Sequence, residues 1–406
     1  MSKRSAVIHL VCFAASLATA PLARAADVKI EQLELLTHGG LDESTGSFKI
    51  GSRIFFDMAL EGGDKFAGLL RLSFLNGDVE EALSLAERDV EGQALTEAQQ
   101  AAWLDSLTTK LNNITSPRFK TASVTARAVF GLPLDLSYFI GYLDSFASGD
   151  DFVQLFGAAP FASEMRGPMV YPEGIGGNPD LFYQGIHAVN GTGFRLSTTP
   201  RLSSSQMGMV YLYQDSDLGA GSWSVDLRGF INKEKVKFEA FAGTSTAGSG
   251  LIFRGGILFY AFSGDVGEFF AQVGVPRWDP ADGFSLQNLY YLFEPRINFG
   301  PGSIAITLFS HPAWYRQIET DANSRFDLAF NFRFGTLSQD GAQGGIQALM
   351  ALKPLDTPPA SADIAPYYSV IAGGIQWDFK LDLRVFPFPS EWYGIFRPFI
   401  GLKTSF

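Results

Sequence analysis

The chain has 406 residues, with 42 acidic and 31 basic side chains and a formal net charge of −11. An acidic chain lacks the basic footprint on which nucleic-acid binding relies, which argues against a nucleic-acid partner. Its single cysteine, Cys12, excludes a disulfide framework and a thiolate metal site. Hydrophobic residues make up 46% of the chain, yet beyond the N-terminal segment no stretch of about twenty residues is apolar enough to span a membrane as a helix.

The N-terminal segment has the three parts of a secretory signal peptide. Lys3 and Arg4 precede a short apolar stretch, and Ala23-Arg24-Ala25 forms a small-x-small cleavage site. We therefore expect a signal peptide at 1–25 and a single domain at 26–406. A membrane anchor is the alternative, but the apolar stretch is short for a spanning helix. Without the three basic residues of the leader, the mature chain would have a net charge of about −14 and no cysteine.

Alternation of apolar and polar side chains is the main pattern in the rest of the chain. Strands place successive side chains on opposite faces, so a period of two predicts strands with one apolar and one polar face. The clearest cases are 288–299, 325–334 and 376–385, where the apolar face is mostly Phe, Leu, Ile and Val. Weaker copies are 50–60, 66–74, 119–130, 134–142, 223–231, 236–242, 269–275, 304–308 and 346–352.

Turn residues separate the alternating segments. Short turns are expected at 61–64, 131–133, 199–201, 232–235, 263–265 and 300–302, and longer connections at 214–221, 277–285, 312–323 and 354–365. Membrane β-barrels have such an arrangement, with short periplasmic turns and longer outer loops. About seventeen segments from Val28 onward qualify as strands, but both termini on one side require an even number. We predict about sixteen strands, within a range of 14–18.

Two segments interrupt the strand pattern. Residues 77–115 lack alternation and are predicted to be a helical insertion, with Thr96 and Gln99 spaced as a capping box. This insertion would be an outer excursion, a periplasmic element, a plug, or a solvated helix without a role. Residues 145–181 are rich in Gly and Pro but also contain Phe and Met. A long loop with its own apolar side chains usually packs against something, so we expect it to form a constriction or a plug in the lumen.

The C-terminal segment is a further alternating strand. Phe396, Ile400, Leu402 and Phe406 share one face, and Gly401 precedes the final aromatic residue by five positions. This ending resembles the assembly signal in the last strand of Gram-negative outer-membrane β-barrels. The resemblance implies a porin-like protein of the bacterial outer membrane. It also implies that the barrel-assembly machinery recognises this strand, with Gly401 and Phe406 as the assembly signal.

The predicted fold is therefore all-β. It is a membrane-spanning, antiparallel, up-and-down β-barrel of about sixteen strands, with a helical excursion and one long loop. A soluble β-sandwich or propeller is the alternative. The barrel is favoured because the signal peptide and the C-terminal strand are independent of the alternation, and because polar faces with charges of both signs suit a lumen. A closed barrel also has no free sheet edge and depends on no disulfide.

By parity, the polar faces of the strands line the lumen of such a barrel. The charged candidates are Arg53, Asp57, Arg71, Arg127, Asp226, Arg228, Glu239, Arg254, Glu268, Glu294, Arg296, Asp327, Arg333, Asp378, Lys380, Asp382 and Arg384. These charges would either create a transverse field that orients polar solutes, or pair across strands and stiffen the wall. The apolar residues Leu69, Phe139, Phe241 and Phe270 also fall inward, which would suit a hydrophobic cargo or packing against an inserted segment.

Catalytic chemistry has little support in the sequence. The mature chain has only His38, His187 and His311, in no metal-ligand spacing. His187 with Ser197 is the one combination of a base and a nucleophile worth naming. We expect no enzymatic activity and no cofactor.

The favoured function is an outer-membrane channel for passive diffusion of small solutes, with the lumen narrowed by an inserted segment. The first alternative is a transporter of hydrophobic compounds similar to long-chain fatty-acid channels, although the segment after Ala25 lacks their N-terminal hatch motif. The second alternative is a closed surface-structural or adhesive barrel. The expected partners are outer-membrane lipid, the barrel-assembly machinery, and small solutes or hydrophobic substrates.

Overall fold

The computed structural model describes residues 27–41, 48–62, 65–76, 117–165, 185–199, 204–219, 221–247, 250–264, 266–312, 325–338, 341–353 and 358–405. Eighteen strands lie in this part of the chain. They are β1 (Asp27–Leu41), β2 (Phe48–Gly62), β3 (Phe66–Asn76), β4 (Pro117–Ala126), β5 (Leu134–Phe146), β6 (His187–Thr198), β7 (Gln206–Asp215), β8 (Trp223–Asn232), β9 (Val236–Ala247), β10 (Gly250–Phe262), β11 (Gly267–Trp278), β12 (Tyr290–Phe299), β13 (Gly302–His311), β14 (Arg325–Ser338), β15 (Gly341–Leu352), β16 (Ala360–Ala372), β17 (Ile375–Phe386) and β18 (Phe396–Ser405).

The eighteen strands close into one antiparallel ring. Each strand pairs with the next one along the chain, and the last strand returns to the first, with His38 of β1 opposite Gly401 of β18. Eighteen is the upper end of the predicted range. The segment that begins at Val28 is a full strand of fifteen residues. Closure gives every strand two neighbours, so the sheet has no unpaired edge.

Burial along the strands is inverted relative to a water-soluble protein. On β8, the apolar residues Trp223, Val225 and Leu227 are 52%, 41% and 55% exposed, whereas the intervening Ser224, Asp226 and Arg228 are 0%, 0% and 3% exposed. The apolar faces point away from the barrel axis and the polar faces point into it. A barrel that is apolar outside and polar inside suits lipid. The predicted fold class, a membrane-spanning up-and-down β-barrel, is confirmed.

The two ends of the barrel differ in their connections. Connections that leave even-numbered strands are short, such as Gly373-Gly374 between β16 and β17. Both glycines have positive φ values, +62° and +77°, as the two-residue turn of a hairpin requires. The longer connections, including 279–289, 312–324 and 387–395, all leave odd-numbered strands and meet at the other end. The described ends of the chain, Asp27 and Ser405, lie at the short-turn end.

One helix follows β5 on the inner side of the barrel. This helix, α1 (Asp150–Phe156), belongs to the predicted long loop, of which 145–165 is described. A second short helix, α2 (Trp392–Ile395), lies between β17 and β18. No described helix is both long and apolar enough to cross a membrane. The predicted signal peptide at 1–25, the predicted helical insertion at 77–115, residues 166–181 of the loop and Phe406 lie outside the described residues.

The outward orientation of Leu227 leads to a test of the lipid-facing surface. Leu227→Arg places a charge near the middle of a lipid-facing strand, which should lower the free energy of unfolding by about 2–4 kcal/mol. Leu286→Arg is the matched control, because Leu286 lies outside the strands and is 76% exposed. Urea unfolding in lipid bilayers measures both variants. Equal stability of the two variants would contradict the lipid-facing orientation of β8.

Candidate functional site: the lumen and its inserted segment

Residues 147–165, called the inserted segment below, follow the inner wall of the barrel. The segment begins where β5 ends. Its first residue contacts β9 and β11, its middle contacts β8, β10 and β11, and its end reaches β12 and β14. It turns back on itself at Gly149, where φ is +90° and a side chain would meet the Phe161 carbonyl oxygen at 2.7 Å. Polar contacts hold each end of the segment, and aromatic contacts hold its middle.

Arg228 anchors the start of the inserted segment. Its Nε lies 2.7 Å from Glu239 Oε1, and its Nη1 lies 2.6 Å from Asp151 Oδ2. Its Nη2 donates to the Ser145 carbonyl oxygen at 3.0 Å, and the guanidinium lies 4.5 Å from the ring centroids of both Phe146 and Phe230. The fully buried guanidinium is thus compensated by carboxylates on β9 and α1, bound to a carbonyl of β5 and flanked by two aromatic rings.

The backbone of Ala147 is bound to the wall at both of its polar atoms. Its N–H donates to Glu239 Oε1 at 2.6 Å, and its carbonyl oxygen accepts a hydrogen bond from Gln272 Nε2. Tyr290 orients that amide by donating to Gln272 Oε1 at 2.8 Å. Ala147 also has a positive φ of 58°, which a residue with a Cβ rarely adopts. The wall contacts therefore hold the chain in a strained turn where it leaves β5.

An aromatic layer joins the middle of the inserted segment to the wall. Phe152 packs edge-on against Phe230 at 5.3 Å, and Phe161 stacks on Tyr260 at 4.5 Å with 20° between the ring planes. Phe270, a further inward residue, lies 6.3 Å from Phe161. These rings belong to one buried cluster that also includes Phe139, Phe241 and Leu258. The inward apolar residues that the sequence predicted for β5, β9 and β11 thus belong to the same buried cluster as the rings of the inserted segment.

Glu294 anchors the end of the inserted segment. Its Oε2 accepts hydrogen bonds from Ser163 Oγ at 2.7 Å and from Thr307 Oγ1 at 2.6 Å, and its Oε1 accepts one from the Glu164 N–H at 3.0 Å. Arg296 Nη2 lies 2.5 Å from Glu294 Oε1 and also donates to the Ala162 carbonyl oxygen. Arg296 Nη1 continues to Glu268 Oε2 at 3.0 Å. Two of the predicted lumen charges, Glu294 and Arg296, therefore contact the inserted segment, and Glu268 pairs with Arg296.

Arg254 forms a separate buried cluster on the inner wall. Its Nε and Nη2 bind Asp226 Oδ1 and Oδ2 at 2.7 and 2.8 Å, and Nη2 also donates to Tyr213 Oη at 3.1 Å. His187 Nε2 lies 3.2 Å from the same Tyr213 oxygen. Ser197 is ten residues from His187 on the same strand, about 33 Å at strand rise, so the two side chains do not form a catalytic pair.

The inner face of β14–β18 carries the more exposed charges. Arg333 is 38% exposed at its side chain and lies 3.4 Å from Glu164 Oε1, at the end of the inserted segment. Arg384 is 32% exposed and donates through Nε to Asp363 Oδ1 at 3.3 Å. Lys380 lies 3.6 Å from Asp382 Oδ1, with both side chains almost fully buried. Arg333 therefore contacts the end of the inserted segment, whereas Arg384, Lys380 and Asp382 pair with other residues of the wall.

The other predicted lumen residues have three outcomes: some face inward as predicted, some have side chains that the structure does not describe, and one is exposed. Asp327 is buried beside Arg325 at 2.9 Å, and Asp378 is buried with Ser369 and Gln376 as donors. Arg71 lies on the same face of β3 as the buried Ala67. Arg53 and Asp57 lie on β2, but their side chains are outside the described set. Arg127 was predicted to lie inward, but β4 ends at Ala126 and Arg127 is exposed in the following turn.

Several residues of the site have no clear signal in the sequence. Asp363 falls in the predicted connection 354–365, whereas β16 begins at Ala360 and turns Asp363 inward. Asp144 binds Arg195 at 3.0 Å, but the register of β5 shifts between Tyr142 and Asp144, which breaks the parity count. Asp151 and Glu164 belong to the loop, where no period assigns a direction. The only sequence feature that could have indicated their role is the presence of carboxylates in a loop rich in Phe.

The carboxyl group of Asp151 has an unusual environment. Burial raises its pKa from an ordinary value of 3.8 to about 7, although Arg228 lies only 2.6 Å away and opposes the shift. The carboxylates of Asp144 and Glu239 add to the increase. One guanidinium thus serves both Asp151 and Glu239, and a proton on Asp151 relieves the excess negative charge. Among the described residues, no group of three or more His, Cys, Asp or Glu side chains is placed to hold a metal ion.

Comparisons with known proteins give only distant similarities. No family model matches the chain, and no curated protein matches its sequence. A triple variant of the Rhodopseudomonas blastica porin is similar in structure, with a TM-score of 0.40 and 10% identity over 94% of this chain and 100% of that one. A loop-deletion variant of OmpT, an outer-membrane protein of Vibrio cholerae, has a TM-score of 0.39 and 11% identity over the same shares. The strand pairing and the inverted burial define the fold independently of these similarities.

The raised pKa of Asp151 predicts that docking of the inserted segment depends on pH. A carboxyl group whose pKa is raised in the docked state favours docking fully below pH 3.8, and this contribution is lost as the pH rises through about 7. Backbone hydrogen exchange of residues 147–156, corrected for the intrinsic rate at each pH, should show protection that falls by up to about tenfold per pH unit between about pH 4 and 7 and levels off above pH 7.

Asp151→Asn is the control for this prediction, because the amide has a similar shape and does not titrate. Its protection factors should not vary between pH 5 and 9. The same pH slope in both proteins would show that another group controls docking.

Proposed function

We propose that this protein is an outer-membrane channel that passes small polar solutes by passive diffusion, with the inserted segment narrowing its lumen. The observation that carries the proposal is the position of the segment on one half of the inner wall. Its contacts extend from β8 to β14 and include both anchors and the aromatic layer. The segment is a wall lining that reduces the cross-section of the barrel.

The chemistry of the wall beyond the inserted segment supports a polar solute. From β14 to β18, the inward positions carry charges, amides and small residues, among them Asn331, Gln347 and Ser369. Tyr367 and Phe399 are inward-facing aromatic residues on this part of the wall, and the Tyr367 hydroxyl donates to Asn331 Oδ1 at 3.3 Å. A path lined by hydrogen-bonding groups favours hydrated solutes over apolar ones.

The aromatic layer argues against the alternative of a transporter for hydrophobic compounds. The inward apolar side chains that suggested such a cargo, including Phe270 and Leu258, are 0% exposed. They pack in one cluster with Phe152 and Phe161 of the inserted segment. Because these apolar side chains are already buried with the inserted segment, a lipid-like substrate would have to displace the segment to reach them.

The proposed location is the bacterial outer membrane, reached after cleavage of the signal peptide and assembly through the C-terminal strand. Closure of the ring supports this location, because β18 with Gly401 is the strand that completes the barrel against β1. We also propose that the protein has no enzymatic activity. His187 is engaged with Tyr213 and lies 3.8 Å from Asp226, and it is far from Ser197 along β6.

Planar-bilayer recording tests the proposed channel directly. The mature chain should show stable ion steps, and the steps should grow when residues 145–181 are deleted. If neither protein conducts ions, the proposed channel is wrong and the closed barrel becomes the favoured alternative. Uptake of a labelled fatty acid into liposomes, faster than through control barrels, would instead favour the hydrophobic transporter.

A single substitution tests the end anchor without shortening the chain. Glu294→Gln removes a buried charge that holds Ser163, the Glu164 N–H and Arg296, which should weaken docking by about 3–5 kcal/mol. The single-channel conductance should become larger and noisier than that of the native protein. Glu268→Gln is the matched control, since Glu268 binds Arg296 but makes no described contact with the segment. Equal conductance in both variants would contradict the anchoring role of Glu294.

A further inference from the structure

The ion pair at the end of the inserted segment is open to the lumen, unlike the pair at its start. Arg333 Nη1 of β14 lies 3.4 Å from Glu164 Oε1, and the two side chains are 38% and 18% exposed. At the start of the segment, Arg228 and Glu239 are both 0% exposed. Arg333 is opposite Ser303, the second residue of β13, which places the pair near the short-turn end of the lumen. A solute in the lumen can therefore reach both charges.

The wall holds the two charges side by side, and they do not hold each other. Arg333 Nε donates to Ser303 Oγ at 3.2 Å, and Glu164 Oε2 accepts from Asn331 Nδ2 at 3.1 Å. The Tyr367 hydroxyl in turn donates to Asn331 Oδ1 at 3.3 Å. The 3.4 Å contact between Arg333 and Glu164 is longer than the distance of about 2.7–2.9 Å that is usual for a charge-assisted hydrogen bond. Within the described structure, the terminal nitrogens of Arg333 make no hydrogen bond, so they remain available to a ligand.

Other charges of the lumen are engaged more closely. Arg296, at the adjacent end anchor, donates through Nε to Glu294 Oε1 at 2.8 Å. Arg384 is 32% exposed, but it donates to Asp363 Oδ1 at 3.3 Å, and Arg397 donates to the same oxygen at 3.2 Å. A carboxylate oxygen that already accepts from two guanidinium groups has little capacity left for a further cation. The pair at the end of the segment differs because its acid and its base are both available.

An arginine beside a glutamate is complementary to a solute that carries both charges. In an α-amino acid, standard bond lengths place the ammonium nitrogen about 3 Å from the carboxylate oxygens. This distance is close to the 3.4 Å between Arg333 Nη1 and Glu164 Oε1. An antiparallel alignment therefore places the solute carboxylate against the guanidinium, which binds carboxylates through two parallel hydrogen bonds, and the ammonium group against Glu164. Both charges of the solute then have a partner where the narrowed lumen removes part of their water.

We propose that Arg333 and Glu164 form a binding site for small zwitterionic solutes of the amino-acid class, with Arg333 binding the carboxylate and Glu164 the ammonium group. The inference rests on the proposed channel function, because it names a solute class for the same lumen. The site depends on two opposite charges at a fixed separation and requires no net charge.

Swelling of liposomes that contain the full mature chain tests this site. Alanine is the zwitterionic probe, and lactamide is an uncharged probe of nearly the same size and mass. The ratio of the two swelling rates cancels the number of channels in each liposome, and in the native protein alanine should be the faster solute. Arg333→Gln and Glu164→Gln should each lower the alanine-to-lactamide ratio by about threefold, as expected for the loss of one partly exposed ion pair.

Two substitutions in an exposed turn are the matched controls. Lys235→Gln and Glu234→Gln each remove one charge of the same sign at the same end of the barrel, in the turn between β8 and β9. Both should leave the ratio unchanged. The lactamide rate in Arg333→Gln and Glu164→Gln serves as an internal control, because it reports whether the lumen keeps its width.

The outcomes separate this inference from the proposed function. If neither solute enters liposomes with the native protein, the channel and the site are both wrong. If both solutes enter and the ratio is the same in the native protein, Arg333→Gln and Glu164→Gln, the site is wrong and the channel remains. Changes of the ratio in opposite directions in the two variants would also overturn the site, because they would show that the lumen selects a single charge and not a zwitterion.

Discussion

Closure of the ring is the constraint on which the rest of the structure depends. In lipid, no water is available to a free backbone N–H or carbonyl group, so a spanning sheet has to pair its first and last strands. The pairing of β1 with β18 meets this requirement. Once the ring is closed, each strand has one face toward lipid and one toward the lumen. The period-two pattern of the sequence therefore becomes a radial separation, with Leu227 outside and Arg228 inside.

A polar inner wall covered by protein has to satisfy its charges without bulk water. The inserted segment buries Arg228 and Glu294. Carboxylates compensate the charge of Arg228, and Arg296 together with hydroxyl and backbone N–H donors compensates that of Glu294. Removing one partner from such a set would leave a buried charge uncompensated, which costs several kcal/mol. The basic residues of the inner wall thus fall into two groups, those that are buried with their partners and those that are partly exposed. Arg228, Arg254 and Arg296 are held by the wall and the segment, whereas Arg333 and Arg384 keep part of their side chains exposed.

The sequence predicts the faces of the strands better than it predicts the contacts between distant parts of the chain. Parity placed Arg228, Glu239, Arg254 and Asp382 inward because alternation is a local property of the backbone. Parity failed for Arg127, where the strand ends one residue earlier, and gave no direction to Asp144, where the register shifts. The partnership of Arg228 with Asp151 spans 77 positions and depends on how the loop folds back, which no local period encodes.

The position of the inserted segment also determines the role of its aromatic residues. Phe152 and Phe161 would suit a hydrophobic cargo if they faced an open lumen, but they face Phe230 and Tyr260 of the wall. The apolar side of the segment therefore packs against the wall and attaches the segment to it. Polar groups line most of the remaining inner wall. In a barrel with a polar lumen, such attachment needs an apolar area on the wall as well. The inward residues Phe241, Leu258 and Phe270 supply that area, since they belong to the same buried cluster as Phe152 and Phe161.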